Sequence, residues 1–249
     1  KWMLVVLVLA GSVSWGQAQI KIGNRTINTK KVLNAASEVA SAITLSDEDV
    51  AALCRESVKW MDEQNPVSDP GSAYSKRLDS LMKKVGEIEG LKLNYKVYEV
   101  VDINAFACGD GSIRVFSALM DLMDDDELMA VIGHEIGHVV HTDSKDAMKN
   151  AYLAAAAKSA AGAAGGVLEK LTDSQLGEIA QALSNAQFSQ KQETEADEYG
   201  FEFCIKHGFD PYGMANALEK LNNFPRDKRH LNFSRCFLVI PIVPNGRPG

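Results

Sequence analysis

The chain has 249 residues, 46% hydrophobic and 24% charged, with a formal net charge of -7. That is enough material for one globular domain with its own core. The acidic balance lacks the phosphate-neutralising charge of a nucleic-acid binder and excludes that class.

Residues 1–18 read as a secretory signal peptide. Lys1 precedes an apolar run from Met3 to Ala10, and Gly16-Gln17-Ala18 offers small residues where a signal peptidase cuts. The run is shorter than the roughly 20 apolar residues of a bilayer span. Ser12 follows Leu9-Ala10-Gly11, where a bacterial lipoprotein would carry Cys, so no lipid anchor is expected. Residues 19–45 form an arm with a strand-like stretch from Ile20 to Thr29. Residues 46–224 form the main domain and residues 225–249 an atypical tail. Export would place Cys54, Cys108, Cys204 and Cys236 in an oxidising compartment, where disulfides or buried thiols are both open.

Ser46-Asp47-Glu48-Asp49 is a helix-capping signature, and Val50, Leu53, Cys54, Val58 and Met61 then recur at helical spacing to Gln64. Asn65-Pro66 and Asp69-Pro70-Gly71 break that helix. A second is predicted from Ser72 to Val85, with Tyr74, Leu78, Leu81 and Val85 on one face. Leu91 to Val101 reads as a strand, and Asn104-Ala105-Phe106-Ala107 continues extended. Gly109-Asp110-Gly111 turns, and Ile113 to Phe116 returns, giving a hairpin or small sheet. Ser117 to Met123 predicts a short helix. Asp124 to Glu127 then supply negative charge at the start of the next, where it suits the helix dipole. Leu128, Val131, Ile132 and Ile136 give that helix an apolar stripe. Ala151 to Gly166 is mostly Ala and Gly: a close-packed helix is the plain reading, a lid or membrane-touching segment the others. Asp173 to Lys206 reads as one long helix with a weak point near Ser184, ended by Gly208. Asp210-Pro211 starts a last helix to about Leu221.

Three of the five histidines lie in HEIGHVVH, His134 to His141. Residues four apart share a helix face, so His134 and His138 aim at a common point, with Glu135 beside it. Such a pair supplies half of a tetrahedral zinc site, and the glutamate can take a proton from water activated there. Gly137 in mid-helix is costly by ~1 kcal/mol relative to Ala, which points to close approach of another element. His141 is the nearest further imidazole, but at a helix end it suits carbonyl capping; Ser144 stands where a metzincin would need His. His207 and His230 have no spacing argument. Glu193 is the better third donor. A second helix crossing the first could present it, with Asp197 one turn on to accept a ligand histidine's outer N–H. Glu195 points elsewhere, toward solvent, and Ala196 is small enough for close packing. The bland alternative for this stretch is a solvated charged face.

HEIGH with the downstream Glu193-Thr194-Glu195-Ala196-Asp197 resembles the M48 metallopeptidase family. Asn104 to Ala107, the Gly-Asp-Gly turn, Gly200 and Gly208-Phe209-Asp210-Pro211 extend the resemblance over roughly Ser46 to Leu221. It is closest to the soluble periplasmic branch, similar to beta-barrel assembly-enhancing proteases. The resemblance implies one Zn2+ held by His134, His138 and Glu193, with Glu135 as general base and Asp197 behind a histidine. It implies an edge strand around Ile113 to Phe116 where substrate adds on, involving Asn104, Ile113, Arg114 and Val115. After Leu221 the chain departs from the pattern, so no zinc-capping role passes to His230.

The expected fold is α+β, a mostly helical zincin with a small sheet beside the HExxH helix. The expected activity is zinc-dependent hydrolysis of peptide bonds in unfolded or misassembled cell-envelope proteins, in the periplasm. The alternative is a zincin-like assembly factor that grips client strands and seldom cuts. An integral membrane protease would need apolar spans of about 20 residues, which the sequence lacks beyond its short N-terminal run.

Overall fold

The computed structural model describes residues 19–22, 25–28, 45–88, 90–158 and 171–223. The expected signal peptide, most of the arm, the Ala/Gly stretch beyond Lys158, His230, Cys236 and the tail lie outside the described residues.

Two short strands, β1 (Gln19–Ile22) and β2 (Arg25–Asn28), pair antiparallel. The main unit follows: α1 (Asp47–Gln64), α2 (Ala73–Met82), β3 (Asn94–Tyr98), β4 (Ala105–Ala107), β5 (Ser112–Phe116), α3 (Ser117–Leu122), α4 (Asp125–Val140), α5 (Asp143–Lys158), α6 (Asp173–Ser184), α7 (Gln190–His207) and α8 (Gly213–Asn223). The fold is α+β and mostly helical.

Local chemistry sets the helix starts. Ser46, Asp124, Thr172 and Ser189 each close a reciprocal capping box with the residue three on, satisfying backbone donors the first turn leaves open. The break anticipated near Ser184 is complete, and the thirty-odd residues read as one helix are α6 and α7 joined at 185–189. Gly208 ends α7 with φ 77°, and Phe209 N donates to Cys204 O at 2.8 Å, a left-handed termination that favours glycine.

The three-stranded sheet has the order β3-β5-β4, with β3 parallel and β4 antiparallel to β5. Strand side chains alternate between its faces. Val97, Ala105, Ile113 and Val115 face a core built with α2, α3, α4, α7 and α8. Tyr98 and Phe106 face a second core built with α1, α5 and α6. The sheet thus lies between two helical layers. Met148, Ala151, Tyr152 and Ala155 of α5 pack in the second core, so the described part of the Ala-rich stretch is packed helix. Among the described residues no helix is long and apolar enough to cross a membrane, and Cys54, Cys108 and Cys204 are buried thiols.

Candidate metal centre

The site sits where α4 and α7 cross. A Cβ on Gly137 would lie 3.0 Å from Ala196 Cα and 3.1 Å from its carbonyl oxygen; one on Gly200 would lie 3.1 Å from the His134 backbone nitrogen. Both are tighter than ordinary packing, so the missing side chains are what let the helix backbones meet. The close approach anticipated from Gly137 is therefore present, and its partner is the helix that carries Glu193.

At the crossing, His134, His138 and Glu193 are 1%, 2% and 8% exposed. Their nearest ligand atoms all lie within 4.8 Å of one another. His134 Nε2 is 3.1 Å from His138 Nε2 and 3.5 Å from Glu193 Oε2; His138 Nε2 is 4.0 Å from Glu193 Oε1. The outer nitrogens are engaged: His134 Nδ1 meets Asp197 Oδ1 at 2.8 Å and His138 Nδ1 meets Asp143 Oδ2 at 2.9 Å. A carboxylate only accepts, so each Nδ1 donates its proton outward and each Nε2 turns a lone pair inward. Two lone pairs that close repel, and Glu193 Oε1 is buried with no hydrogen-bond partner. Imidazole and carboxylate donors converging in this way fit a divalent cation such as zinc.

The electrostatics agree. Burial first, and then the negative charges of Asp197 and Asp143, push Glu193 up to about 7. Burial and the charge of Glu193 push Glu135 up to about 8, against the pull of the Ala107 backbone N–H. Burial and His134 push His138 down to about 4. Two carboxyls held high and an imidazole held neutral make a pocket that lacks positive charge.

The β-strand expectation needs correction. Ile113, Arg114 and Val115 are not at an edge: β5 is the middle strand, and these residues are 1%, 2% and 0% exposed. The Gly109-Asp110-Gly111 reversal lays β4 outside β5, while β3 covers the other side. The outer strand beside α4 is therefore β4. Phe116 N donates to Asn104 O at 3.0 Å and Cys108 N to Ser112 O at 2.8 Å, so by alternation the Ala105 and Ala107 backbone groups face away from β5. Ala107 O accepts from Ser144 Oγ at 3.2 Å. Asn104 is buried; its Oδ1 accepts the Ala105 N–H at 2.9 Å and its Nδ2 donates to Ser184 Oγ at 3.2 Å. It braces the start of that edge.

His141 is exposed at the end of α4, edge-on to Tyr199 at 6.1 Å, outside the ligand cluster. His207 Nδ1 lies 3.4 Å from Lys84 O, also apart from it. Glu195 pairs with Lys191 at 3.2 Å. Sequence reasoning missed Asp143, Gln192, which donates to Asp143 at 2.7 Å, and Phe188, stacked on the His138 ring at 3.9 Å between centroids. Asp143 follows His138 by five residues, a spacing that carries no helical signal.

Residues 73–236 match the family model described as Peptidase family M48. The chain is 40% identical over 210 residues to Metalloprotease LoiP of Escherichia coli strain K12, covering 84% of this chain and 83% of that one. It is 40% identical over 196 residues to Metalloprotease YcaL of the same organism, covering 78% and 77%. It is 35% identical over 153 residues to the Beta-barrel assembly-enhancing protease of Yersinia pestis, covering 58% of this chain and 31% of that longer protein.

Proposed function

The chain belongs to peptidase family M48 and is a metalloendopeptidase, and from that premise we propose that its metal is one Zn2+ held by His134, His138 and Glu193. We propose further that its substrates are unfolded or misassembled proteins of the bacterial cell envelope. The observation that carries the metal assignment is the convergence of three ligand atoms around a buried Glu193 oxygen that nothing else partners. Bound zinc supplies a Lewis acid for the scissile carbonyl and lowers the pKa of its water to about 7.

The chain's own residues do the rest. Glu135, next to His134 on the same turn, accepts the water proton and returns it to the leaving amine. Its high proton affinity, set by burial and by Glu193, suits a group that must hold a proton between two steps. Asp197 and Asp143 keep both imidazoles in the tautomer that presents Nε2. The β4 edge runs beside this helix, and an extended substrate adds along it by taking over outward backbone groups that Asn104, Ser144 and Glu135 now hold. Backbone pairing reads chain extension rather than sequence, which favours unfolded clients. The envelope setting rests on the signal-like residues 1–18 and on the name of the Yersinia relative.

The test is metal analysis of the purified chain together with degradation of an unfolded protein, with and without chelator. Glu135→Gln should keep the zinc and the client but lose turnover. Binding of the unfolded protein without degradation, equal in wild type and variant, would instead support the non-proteolytic holding role.

A further inference from the structure

Gln192 occupies two roles at once. Its Oε1 accepts the Ser189 N–H at 2.9 Å and the Ser189 hydroxyl at 2.8 Å, closing the capping box of α7. Its Nε2 donates to Asp143 Oδ1 at 2.7 Å, and the other oxygen of that carboxylate holds His138 Nδ1 at 2.9 Å. Asp143 is 5% exposed. The chain between His138 and Asp143 bends through Thr142, whose φ is 68°, a left-handed conformation that a β-branched residue rarely adopts. Strain is tolerated where surrounding contacts over-determine it, and here it turns Asp143 back under the histidine.

Building on the zinc assignment proposed above, we propose that Asp143 and Gln192 are positioning residues that lock the His138 imidazole toward the metal. The lock ties the ligand on α4 to the start of α7, the helix that carries the third ligand in the very next position. His134 is oriented by Asp197 from farther along α7. The two histidines are thus fixed by carboxylates on different elements, and both fixations refer to one helix.

The choice of Gln at 192 is the informative detail. Glu caps a helix as well as Gln does, but it would place a second acceptor against Asp143. Gln cannot flip to compensate, because its oxygen is already taken by Ser189. A purely structural cap would tolerate the exchange.

Gln192→Glu is therefore the discriminating variant, with Asp143→Asn as the second. Zinc affinity is measured by competition with a chromophoric chelator at pH 8, alongside thermal melting of the metal-free proteins. Wild type should bind one zinc. Gln192→Glu should still fold and melt cooperatively without metal, somewhat below wild type because two carboxylates then meet, and should bind zinc about 10-fold or more weakly. Asp143→Asn should weaken binding at least as much. At saturating zinc both variants should lose kcat with KM little changed. Wild-type affinity retained in both folded variants overturns the lock while leaving the metal site standing. Failure of the wild type to bind zinc overturns the metal assignment itself and this proposal with it. If Asp143→Asn does not fold, Gln192→Glu alone decides.

Discussion

Arg114 and Asp62 form a two-point ion pair beneath the sheet, Nε to Oδ1 at 2.8 Å and Nη2 to Oδ2 at 3.0 Å. Arg114 is 2% exposed in the central strand, and its Nη1 also donates to the Asn94 and Ile113 carbonyls at 2.9 Å each. Lys96 and Tyr98 donate to Asp62 as well, each at 2.7 Å. The pair ties α1 to the sheet. Removing one partner of a buried pair leaves the other charge stranded, so Asp62→Ala should lower stability by about 3 kcal/mol. Replacing both partners with apolar residues, Asp62→Leu together with Arg114→Met, should cost less. Denaturant unfolding of the two variants checks the order.

The same pair has a pH signature. Burial pushes the Asp62 carboxyl up, but hydrogen bonds from Arg114, Lys96 and Tyr98 outweigh it, and the net pKa lies below the ordinary value. A lowered folded-state pKa means the unfolded chain binds more protons in acid. The stabilisation is then fully present above the unfolded value near ~3.9 and is lost as pH falls through the folded value. Melting temperature should drop as pH falls below about 4, and Asp62→Asn should flatten that limb. An unchanged acid limb in the variant would count against the assignment.

Glu193 makes zinc affinity depend on pH in a stated window. Burial and then the charges of Asp197 and Asp143 raise it to about 7, so below that pH a proton competes with the metal for the carboxylate. His138 is held down to about 4 and contributes no such competition above ~pH 5. Apparent affinity should rise roughly tenfold per pH unit from about pH 5.5 to 7 and level off near 8. Chelator competition across that range reads the slope. A flat profile would sink Glu193 as a ligand.

Gly137→Ala should damage the site through packing alone. Its new methyl would meet Ala196 backbone atoms at 3.0 and 3.1 Å, which cannot swing aside as a side chain could. Overpacking of this kind costs ~1–3 kcal/mol, partly offset by the ~1 kcal/mol helix preference of Ala over Gly. Relief by parting α4 from α7 would carry Glu193 away from the histidines. Thermal melting should fall modestly while zinc affinity falls more. Equal melting and equal affinity would mean the helices are not held at this contact.

Val115→Ala tests the corrected strand order. Val115 is fully buried in the middle strand, so its loss should cost roughly 1–3 kcal/mol through lost burial and a cavity. It should leave KM for an unfolded substrate unchanged well below the melting temperature. A raised KM without loss of stability would return β5 to the substrate surface.

The sequence by itself determined the parts whose physics is local. The capping residues Ser46 and Asp124 place their helices, since a side-chain acceptor and its backbone donor are three residues apart. The spacing of His134 and His138 puts both rings on one face because a helix repeats every 3.6 residues. The small residues at 137 and 196 announced a close crossing. Tertiary structure alone decided what lies across long chain separations. β3 pairs parallel with β5 and pushes β4 to the edge, a strand order that no alternation pattern encodes. Asp143 reaches His138 through a left-handed turn, and Gln192 reaches Asp143 from a helix 49 positions away. Periodicity reports which side of an element is buried, but only packing determines which element it meets.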